Sequence, residues 1–500
     1  MESRTIRYGV TGFAALLLAF GGSASSQAQP AQDPGVRNDG DPGAGKPYPG
    51  LSDPLQKLFV AGQDEFMKTD HVKDDGLGPR MNLNSCVGCH ANPAAGGSSP
   101  RDNPQFAFFN ATDGVNHSTN KLPSFIAANG ATREARFKLF RYATTGPDGG
   151  VHDLFTIAGM EGAENCKLEQ PDFEAELRLN NVIFRIPTPV FGAGLIEQIP
   201  DTAILANINQ DRGQKEAMGI KKKLNFVISA NTITGLPNKN GNDGTIARFG
   251  WKAQNKSLLI FSGEAYNVEM GISNELFQTE REEDPNCQFK TTPNDTTDPS
   301  HITETDPVKR LDILSDIEKF ASFVRLLAPP EPSSNAPGGS DSIARGKTFF
   351  SQVGCDLCHT PMLKTRGNST IPQLSGDGSG KEANLYSDLA LHQMGAKLDD
   401  GIEQGQAARD EFRTAPLWGL GKRIFFLHDG RTSDLVKAIE EHHSRSTISF
   451  RCWLLSFFGL SRLCGPEDGT IASEANSVVE KYNKLHDTEK QDLLNFLRSL

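Results

Sequence analysis

Two short stretches of the chain carry cysteine and histidine at the spacing that attaches a porphyrin. They read Cys86-Val87-Gly88-Cys89-His90 and Cys355-Asp356-Leu357-Cys358-His359. In such a pentapeptide the two thiols form thioethers with the haem vinyl groups, and the histidine becomes the proximal ligand of the iron. The alternative is zinc, which would need the two Cys-x-x-Cys pairs within a few tens of residues. The pairs lie far apart and each has its own histidine, so the sequence predicts two covalently bound haem c groups.

The chain begins with the features of a secretory signal. Arg4 and Arg7 precede an apolar run over residues 10–20 that is too short to span a bilayer, and Ala28 provides a small residue before a cleavage site. We therefore expect residues 1–28 to be a signal peptide for export to a bacterial periplasm, with secretion or a cell-surface location as alternatives. No later stretch is apolar over about 18 residues, so we expect no transmembrane anchor in the mature chain.

Four further cysteines suit an oxidising compartment. Cys452 and Cys464 flank a short apolar segment and could close a small loop. Cys166 and Cys287 would then be the remaining pair, by elimination. The alternative is that these cysteines are buried free thiols.

Length and composition divide the chain into two domains. A chain of 500 residues can bury two cores. Residues 29–50 are rich in Pro, Gly and Asp and predict a flexible lead-in, whereas residues 328–340 have the composition of a linker. We expect an N-terminal haem domain over residues 51–327 and a C-terminal haem domain over residues 341–500. The net charge of -11 argues against nucleic acid and anionic membranes and permits a basic redox partner.

The two halves present their signals in the same order. A predicted helix precedes each haem motif and carries a glycine followed, four positions on, by a phenylalanine: Gly62 and Phe66 in the first half, and Gly346 and Phe350 in the second. An amphipathic helix ends each half. This order predicts a mainly α fold of two tandem cytochrome c-like domains, the first enlarged by irregular insertions. A further echo, a Phe-Arg pair followed by proline and glycine, occurs at Phe184-Arg185 and at Phe412-Arg413.

Longer stretches resemble known di-haem enzymes. Residues 412–443 resemble the C-terminal domain of bacterial di-haem cytochrome c peroxidases and of the related methylamine-utilisation di-haem enzyme. Over roughly residues 51–500, the chain resembles more closely the di-haem oxidoreductase family, some members of which are called thiol oxidoreductases. The motifs that carry this closer resemblance are Gly76-Leu77-Gly78-Pro79, Phe191-Gly192-Ala193-Gly194-Leu195-Ile196-Glu197, Arg248-Phe249-Gly250-Trp251-Lys252-Ala253, Met270-Gly271-Ile272, Tyr386-Ser387-Asp388-Leu389 and His392-Gln393-Met394-Gly395.

The resemblance implies a distal ligand for the second haem. In the peroxidases a methionine lies fourteen positions after the histidine of a His-Asp-Gly motif, and the methylamine enzyme has tyrosine there. Counting from His428 gives His442, which implies a low-spin haem held by His359 and His442, with a lower potential than a His/Met haem. The alternative is that His442 is a surface histidine at a helix end. Arg431 is a candidate partner for a haem propionate, because guanidinium pairs with carboxylate in a planar fork.

By the same analogy the N-terminal haem, on His90, is the reactive one. The Trp-Asp-Gly-Arg segment of the peroxidases is missing, and Glu197 in the corresponding stretch is the candidate acid–base residue, with a solvated or capping glutamate as the alternative. Trp251 is a candidate electron relay between the haems, with a core position as the alternative. The candidates for the sixth ligand of this haem are His71, His117, His152, His301, Met160, Met218 and Met270.

These features favour an oxidoreductase that reduces a small oxidant such as hydrogen peroxide. The C-terminal haem would store electrons, and a small redox protein would act as electron donor or acceptor. One alternative is a non-enzymatic electron carrier, in which both haems are six-coordinate. The other is oxygen or radical chemistry on an organic or protein substrate.

The ligand assignment predicts the effect of replacing His442. We expect His442→Gly to convert one of the haems from low spin to high spin, because the iron loses its sixth ligand. Electron paramagnetic resonance of the oxidised protein measures this change. His443→Gly, at the neighbouring position, is the control and should keep the low-spin signal. A His442→Gly protein with unchanged spin states would contradict the assignment.

Overall fold

The computed structural model describes residues 29–39, 42–116, 120–139, 149–221, 223–226, 245–280, 284–448, 450–457, 469–470 and 472–500. The expected signal peptide lies outside this part of the chain, as do His117 and Cys464. Of the described residues, 37% are in helices and 10% in strands or bridges, which agrees with the prediction of a mainly α fold. None of the described helices is long and apolar enough to cross a membrane.

Sixteen α-helices are described along these parts of the chain. They are α1 (Asp53–Met67), α2 (Val72–Asp75), α3 (Cys86–Cys89), α4 (Pro104–Asn116), α5 (Phe173–Arg178), α6 (Ala193–Gln198), α7 (Asp201–Asn209), α8 (Arg212–Ala217), α9 (Leu258–Met270), α10 (Asp316–Leu326), α11 (Ser340–Val353), α12 (Pro372–Ser375), α13 (Leu435–Glu441), α14 (Phe450–Phe457), α15 (Asn476–Asn483) and α16 (Asp487–Ser499). Short 3-10 helices cover Pro285–Cys287, Pro299–Thr303, Lys309–Ile313, Cys355–Leu357 and Leu420–Lys422.

The described strands are short and form two-stranded antiparallel pairs. They are β1 (Arg80–Met81), β2 (Glu134–Phe137), β3 (Phe155–Thr156), β4 (Val182–Arg185), β5 (Leu363–Lys364), β6 (Glu382–Ala383), β7 (Leu391–Gln393), β8 (Glu411–Arg413), β9 (Thr447–Ile448) and β10 (Gly469–Thr470). The pairs are β1 with β3, β2 with β4, β5 with β6, β7 with β8 and β9 with β10. The two Phe-Arg dipeptides therefore occupy equivalent positions, at the ends of β4 and β8.

In the first half, α1 packs against α10 and carries the glycine of the repeated pattern. A Cβ placed on Gly62 would lie 2.4 Å from the carbonyl oxygen of Lys319 and 2.9 Å from the Cβ of Phe323. Glycine therefore lets the two helix backbones approach closely. One turn later, the Phe66 ring lies 6.0 Å from the ring of His90 and 5.0 Å from that of Phe323.

The second half repeats this arrangement with α11 and α16. A Cβ on Gly346 would lie 1.9 Å from the carbonyl oxygen of Asp492 and 2.7 Å from the Cβ of Phe496. The Phe350 ring lies 6.4 Å from His359 and 5.4 Å from Phe496. In both halves, a close glycine crossing of two helices positions a phenylalanine beside the histidine of the Cys-x-x-Cys-His motif.

The described residues bury two main apolar clusters, and each cluster takes residues from both halves of the chain. The larger cluster is built on α1, α9 and α10. The smaller one is built on α11 and α16 but also takes Met218 and Ile220, which follow α8. A side-chain hydrogen bond of 3.1 Å from Asn207 to Thr360 joins α7 to the residue that follows the second haem motif. Helices that precede the linker in sequence thus help to cover the C-terminal half.

The lead-in also contacts the C-terminal half. Asp33 forms an ion pair of 2.6 Å with Arg498 at the end of α16. The buried guanidinium of Arg37 donates to the carbonyl oxygens of Ser499 and Glu331, each at 2.6 Å. Residues 29–39 therefore lie against the last helix and beside the segment that connects the halves.

Cys166 and Cys287 form a disulfide, which confirms the pairing inferred from the sequence. Both cysteines are buried in the larger cluster. Cys452 is also disulfide-bonded. By contrast, the four cysteines of the two pentapeptides are free thiols.

The helix crossing predicts a stability effect. Gly346→Ala should destabilise the fold by about 1–3 kcal/mol, because the new methyl group overlaps the α16 backbone. Alanine is the better helix former by roughly 1 kcal/mol, so a loss of stability would be due to the crossing. Denaturant unfolding of the haem-loaded protein measures the change.

Gly213→Ala is the matched control, since no atom lies within 4 Å of a Cβ placed there in α8. It should be neutral or stabilise by up to about 1 kcal/mol. If Gly346→Ala were as stable as the control, the close crossing would not exist in solution.

Candidate functional site

The first pentapeptide forms the one-turn helix α3 and ends at a histidine with a fixed orientation. The Nδ1 of His90 lies 2.9 Å from the carbonyl oxygen of Gly97. This contact directs Nε2 away from the backbone, as in most histidines that bind a metal. Burial lowers the pKa of His90, so the imidazole is neutral, which is the form that can ligate iron.

The second pentapeptide places its histidine in the same way. The Nδ1 of His359 lies 3.0 Å from the carbonyl oxygen of Tyr386. His442 caps the C-terminus of α13, and its Nδ1 lies 2.7 Å from the carbonyl oxygen of Ala438. Burial, and then repulsion from His442, lower the pKa of His359 to about 4. The two imidazoles are therefore near one another, and each has its Nε2 left for a ligand.

These residues fit two haems. Each pentapeptide keeps both thiols free, although the other described cysteines are oxidised. Three half-buried neutral imidazoles, His90, His359 and His442, are each anchored through Nδ1 to a backbone carbonyl. This is the donor set that thioether attachment and axial ligation of haem iron require.

A cavity of about 770 Å³ opens onto His90. Cys86 and Cys89 lie in its wall, together with most of helix α9 and with Trp251 from the segment before it. The volume falls within the range of cofactor and ligand sites in proteins. The cavity also contains three glutamates that the sequence analysis did not single out: Glu134, Glu264 and Glu269.

The three glutamates are half-buried in the cavity wall, and the pKa shifts of their carboxyl groups differ in direction. Burial, and then the charge of Glu134, raise the pKa of Glu269 well above its usual value. Burial acts on Glu134 too, but attraction by Arg136 and Arg185 outweighs it and lowers the pKa of Glu134. The two carboxyl groups are hydrogen-bonded, so Glu269 holds a proton next to an ionised Glu134.

The third carboxyl, Glu264, lies on the same helix as Glu269. Burial raises the pKa of Glu264, and the Asn255 side chain donates a hydrogen bond to it. The amide of Asn82 donates to Glu269 at 2.8 Å. A signal in the sequence pointed to this helix, because both glutamates interrupt an apolar stretch that ends at the Met270-Gly271-Ile272 motif.

The structure places most of the sixth-ligand candidates away from this cavity. Among the described candidates, Met270 lies in the cavity wall, with its sulfur 3.9 Å from the sulfur of Cys86. The other described candidates lie elsewhere. His71 is exposed before α2, His152 stacks on Phe137 at 3.7 Å, and His301 lies 3.6 Å from Asp298. Met160 packs against the larger apolar cluster, and Met218 belongs to the smaller one.

Glu197, the acid–base candidate of the sequence analysis, lies at the end of α6 in an ion pair. Its carboxylate accepts hydrogen bonds from Arg325 at 2.7 and 3.3 Å and from the backbone N–H of Leu258 at 2.9 Å. It does not belong to the described wall of the His90 cavity. The catalytic role of Glu197 stays a prediction. In the structure, its carboxylate links the end of α6 to Leu258 of α9 and to Arg325 of α10.

Trp251 lies where the two halves meet. Its ring lines the His90 cavity, and its indole N–H donates to the carbonyl oxygen of Ile186 at 2.9 Å. On its other side, the ring meets His428 edge-on at 6.5 Å, and His428 stacks on Phe412 at 4.4 Å. Aromatic contacts therefore run from the cavity into the C-terminal half, which is the position that a relay residue needs.

Arg431 is engaged by acidic side chains of the C-terminal half. Its guanidinium contacts Asp429 at 2.7 Å and Glu441 at 3.5 Å. Its predicted contact with a haem propionate therefore stays a prediction, and such a contact would compete with these carboxylates.

Two other arginines, Arg413 and Arg423, are better candidates for binding an anion. Arg413 donates to the carbonyl oxygens of Gly250 and Thr414, and Arg423 donates to that of Pro416. Burial and repulsion between cations lower the pKa of each to about 10. A guanidinium that is removed from water and hydrogen-bonded to neutral carbonyl oxygens is stabilised by a carboxylate nearby. Haem propionates could provide such carboxylates for Arg413 and Arg423. The signal in the sequence was the echo of Phe184-Arg185 at Phe412-Arg413.

A buried ion cluster joins the cavity wall to the C-terminal half. Asp400 contacts Arg185 at 2.7 Å and Lys252 at 3.2 Å, and the three side chains are 0–3% exposed. Burial would raise the pKa of Asp400, but Arg185 and Lys252 outweigh it and lower that pKa to about 2. Lys252 also lies 4.0 Å above the Phe412 ring. The cluster thus fixes the neighbours of Trp251.

This cluster predicts a loss of stability on mutation and at low pH. Asp400→Asn should destabilise the protein by about 3–5 kcal/mol, because two buried cations lose their anion. In the wild-type protein the folded-state pKa lies below the ordinary value of 3.8. The stabilisation is therefore present above about pH 4 and should fall by about 2 kcal/mol as the pH drops towards 2.

Denaturant unfolding between pH 2 and pH 7 measures both effects. Asp377→Asn removes the same charge from an exposed turn and should leave the free energy of unfolding unchanged. Equal stability of the two variants would show that Asp400 does not hold the cluster together.

Comparison with known proteins identifies the family. The family model described as “Di-haem oxidoreductase, putative peroxidase” matches residues 130–455. The match includes the second pentapeptide, Trp251 and His442, and begins after the first pentapeptide. No curated protein matches the chain. The family description implies two haems and an oxidoreductase of the peroxidase type. Because the match spans more than half of the sequence, this chain belongs to the di-haem oxidoreductase family.

Proposed function

We propose that the protein is an exported di-haem c-type oxidoreductase that reduces peroxide at its N-terminal haem. The haems would be bound covalently through Cys86 and Cys89 in one half and Cys355 and Cys358 in the other. Each would belong to a cytochrome c-like domain, over residues 51–327 and 341–500, with residues 328–340 as the linker. Cleavage after residue 28 would release the mature chain into the periplasm.

The observation that carries this proposal is the difference between the two histidine sites. His359 has a second imidazole, His442, close enough to lower its pKa. His90 instead opens onto a cavity of about 770 Å³ whose wall includes three glutamate side chains. Two imidazole ligands suit a haem that stores an electron, whereas room for a small molecule beside acid–base groups suits a haem that reacts.

The residues of the His90 cavity can supply the protons that peroxide reduction consumes. Bound at His90, a haem would supply the iron at which the O–O bond breaks. Conversion of hydrogen peroxide to two water molecules takes up two protons and two electrons, and the reduced electron donor would supply both electrons, one at a time. Glu269 holds a proton that it can donate, and ionised Glu134 can accept one and return it. Arg136, paired with Glu134, is placed to stabilise negative charge that develops on oxygen.

The contact between the halves supports electron transfer towards the cavity. Trp251 lines the cavity and meets His428 edge-on. An electron from a small redox protein would enter at the C-terminal haem and pass through this contact. A tryptophan bonded to a backbone carbonyl and held beside the Asp400 cluster has a fixed position, which electron transfer requires.

Spectroscopy of the haem-loaded protein tests this proposal. We expect mass spectrometry to show two covalently attached haems. Electron paramagnetic resonance of the oxidised and half-reduced protein should show that at least one haem is, or becomes, high spin and binds cyanide. Peroxide should then oxidise a reduced electron donor catalytically. Two low-spin haems that bind no cyanide in any redox state would instead support the electron carrier, and a stable dioxygen adduct without peroxide turnover would support oxygen chemistry.

The carboxyl pair predicts a specific loss of activity. Glu269→Gln should lower kcat/KM for peroxide by about 10²–10⁴-fold, because the proton donor is lost while the shape of the side chain is kept. Stopped-flow kinetics with hydrogen peroxide measure this change, and haem content and cyanide binding should remain as in the wild type.

Glu169→Gln, at an exposed position, is the control and should retain wild-type kinetics. Glu197→Gln distinguishes the two acid–base candidates. A larger loss in Glu197→Gln than in Glu269→Gln would assign the proton transfer to Glu197 and would contradict the role of the cavity pair.

A further inference from the structure

A second cluster of buried charged groups lies beside the other haem motif. His392 on β7 lies between two carboxylates, with Nε2 at 2.9 Å from Asp388 and Nδ1 at 2.9 Å from Glu474. Asp388 is 1% exposed, His392 5% and Glu474 7%. An imidazole with a carboxylate on each nitrogen is held as the imidazolium. The cluster of three residues therefore has a net charge of −1.

The cluster is attached to the haem motif through the backbone. The N–H of Asp388 donates to the carbonyl oxygen of Cys358 at 2.9 Å. Two residues earlier, the carbonyl oxygen of Tyr386 bonds the Nδ1 of His359 at 3.0 Å. The segment that orients the proximal imidazole is thus fixed at Asp388, whose side chain is held by His392.

The cluster also lies against the attachment point of the haem. The sulfur of Cys358 is 3.8 Å from the Nδ1 of His392. Burial would lower the pKa of His392, but Cys358 and Asp388 outweigh it and raise that pKa well above the usual value. A thioether at Cys358 has no charge, so the two carboxylates would then be what keeps the imidazolium charged.

We propose that His392, Asp388 and Glu474 position the proximal ligand of the C-terminal haem and lower the reduction potential of that haem. The proposal rests on the proposed function, since it requires a haem on Cys355 and Cys358. Ferric haem has one more positive charge than ferrous haem. A buried net negative charge beside the sulfur that would attach the haem would therefore stabilise the ferric form. A low potential makes the C-terminal haem a strong donor to the N-terminal site.

The same groups suggest one competing arrangement. Single ligand atoms of Cys358, Asp388 and His392 lie within 4.8 Å of one another, a spacing that could hold a metal ion if Cys358 were a free thiolate. Haem attachment uses this sulfur, so the two arrangements exclude each other. Metal analysis of the purified protein separates them: two irons per chain and no other metal support the ion cluster, and a stoichiometric third metal would overturn it.

The test is the reduction potential of the C-terminal haem in the intact haem-loaded protein. Glu474→Gln removes one negative charge but keeps the side-chain shape. At pH 6, where Asp388 keeps His392 protonated, the potential should rise so that the Fe(III)/Fe(II) equilibrium shifts roughly tenfold towards Fe(II), about 59 mV. Spectroelectrochemical titration measures the shift. Glu403→Gln is the control, since it removes the same charge from an exposed loop and should change the equilibrium less than twofold.

A second variant separates charge from structural loosening. His392→Gln removes the cation and leaves two carboxylates, so its potential should not rise. A rise in Glu474→Gln without a rise in His392→Gln supports the proposal. A rise in both variants, or no rise in Glu474→Gln with both haems still attached, would overturn it. A wild-type protein without haem at Cys355 and Cys358 would instead contradict the proposed function, and mass spectrometry detects that case separately.

Discussion

The carboxylate of Asp400 lies between two buried cations, Arg185 and Lys252, and these three groups connect the wall of the His90 cavity to the C-terminal half. Arg185 ends β4, the strand that pairs with β2 and so places Glu134 in the His90 cavity. Lys252 follows Trp251 in the chain. Buried ions hold a defined geometry because each departure leaves a charge without its partner. The cavity wall and the aromatic contact therefore share one rigid support.

The helix pairs position the histidine of each Cys-x-x-Cys-His motif. In each half, a glycine lets two helices cross closely enough that the next phenylalanine reaches the motif histidine. At the two crossings, the glycines face backbone atoms of α10 and α16. A methyl group in place of the glycine hydrogen would overlap these atoms. This repeated packing explains why the same two residue types recur at the same spacing in both halves.

The two haem environments differ in what is buried around them. Near His359, the buried groups are a second imidazole and an imidazolium held by two carboxylates. Near His90, they are carboxyl groups that share a proton beside an arginine. Burial and neighbouring charges shift the pKa values of both sets of groups. The shifts differ in direction because each group is stabilised in the protonation state that its neighbours favour. Two copies of one sequence motif therefore lie in surroundings of different charge and protonation.

Much of the local structure followed from the sequence. The pentapeptides, the glycine-phenylalanine spacing and the amphipathic helix ends α10 and α16 are short-range patterns, and the structure contains each of them. The pairing of Cys166 with Cys287 was available by elimination. The sequence could not predict that α7 and α8 cover the C-terminal half, or that residues 29–39 lie on α16, because these contacts join distant parts of the chain.

The sequence alone determined which residues can attach haem, since a Cys-x-x-Cys-His motif has its chemistry within five consecutive residues. Only the tertiary structure decided which carboxyl groups stand in the cavity. Glu134 reaches it from β2 and Glu269 from α9, whereas Glu197 forms an ion pair with Arg325. The physical reason is that protonation and partner choice depend on burial and on charges brought from far along the chain. Spacing along the chain does not record either of them.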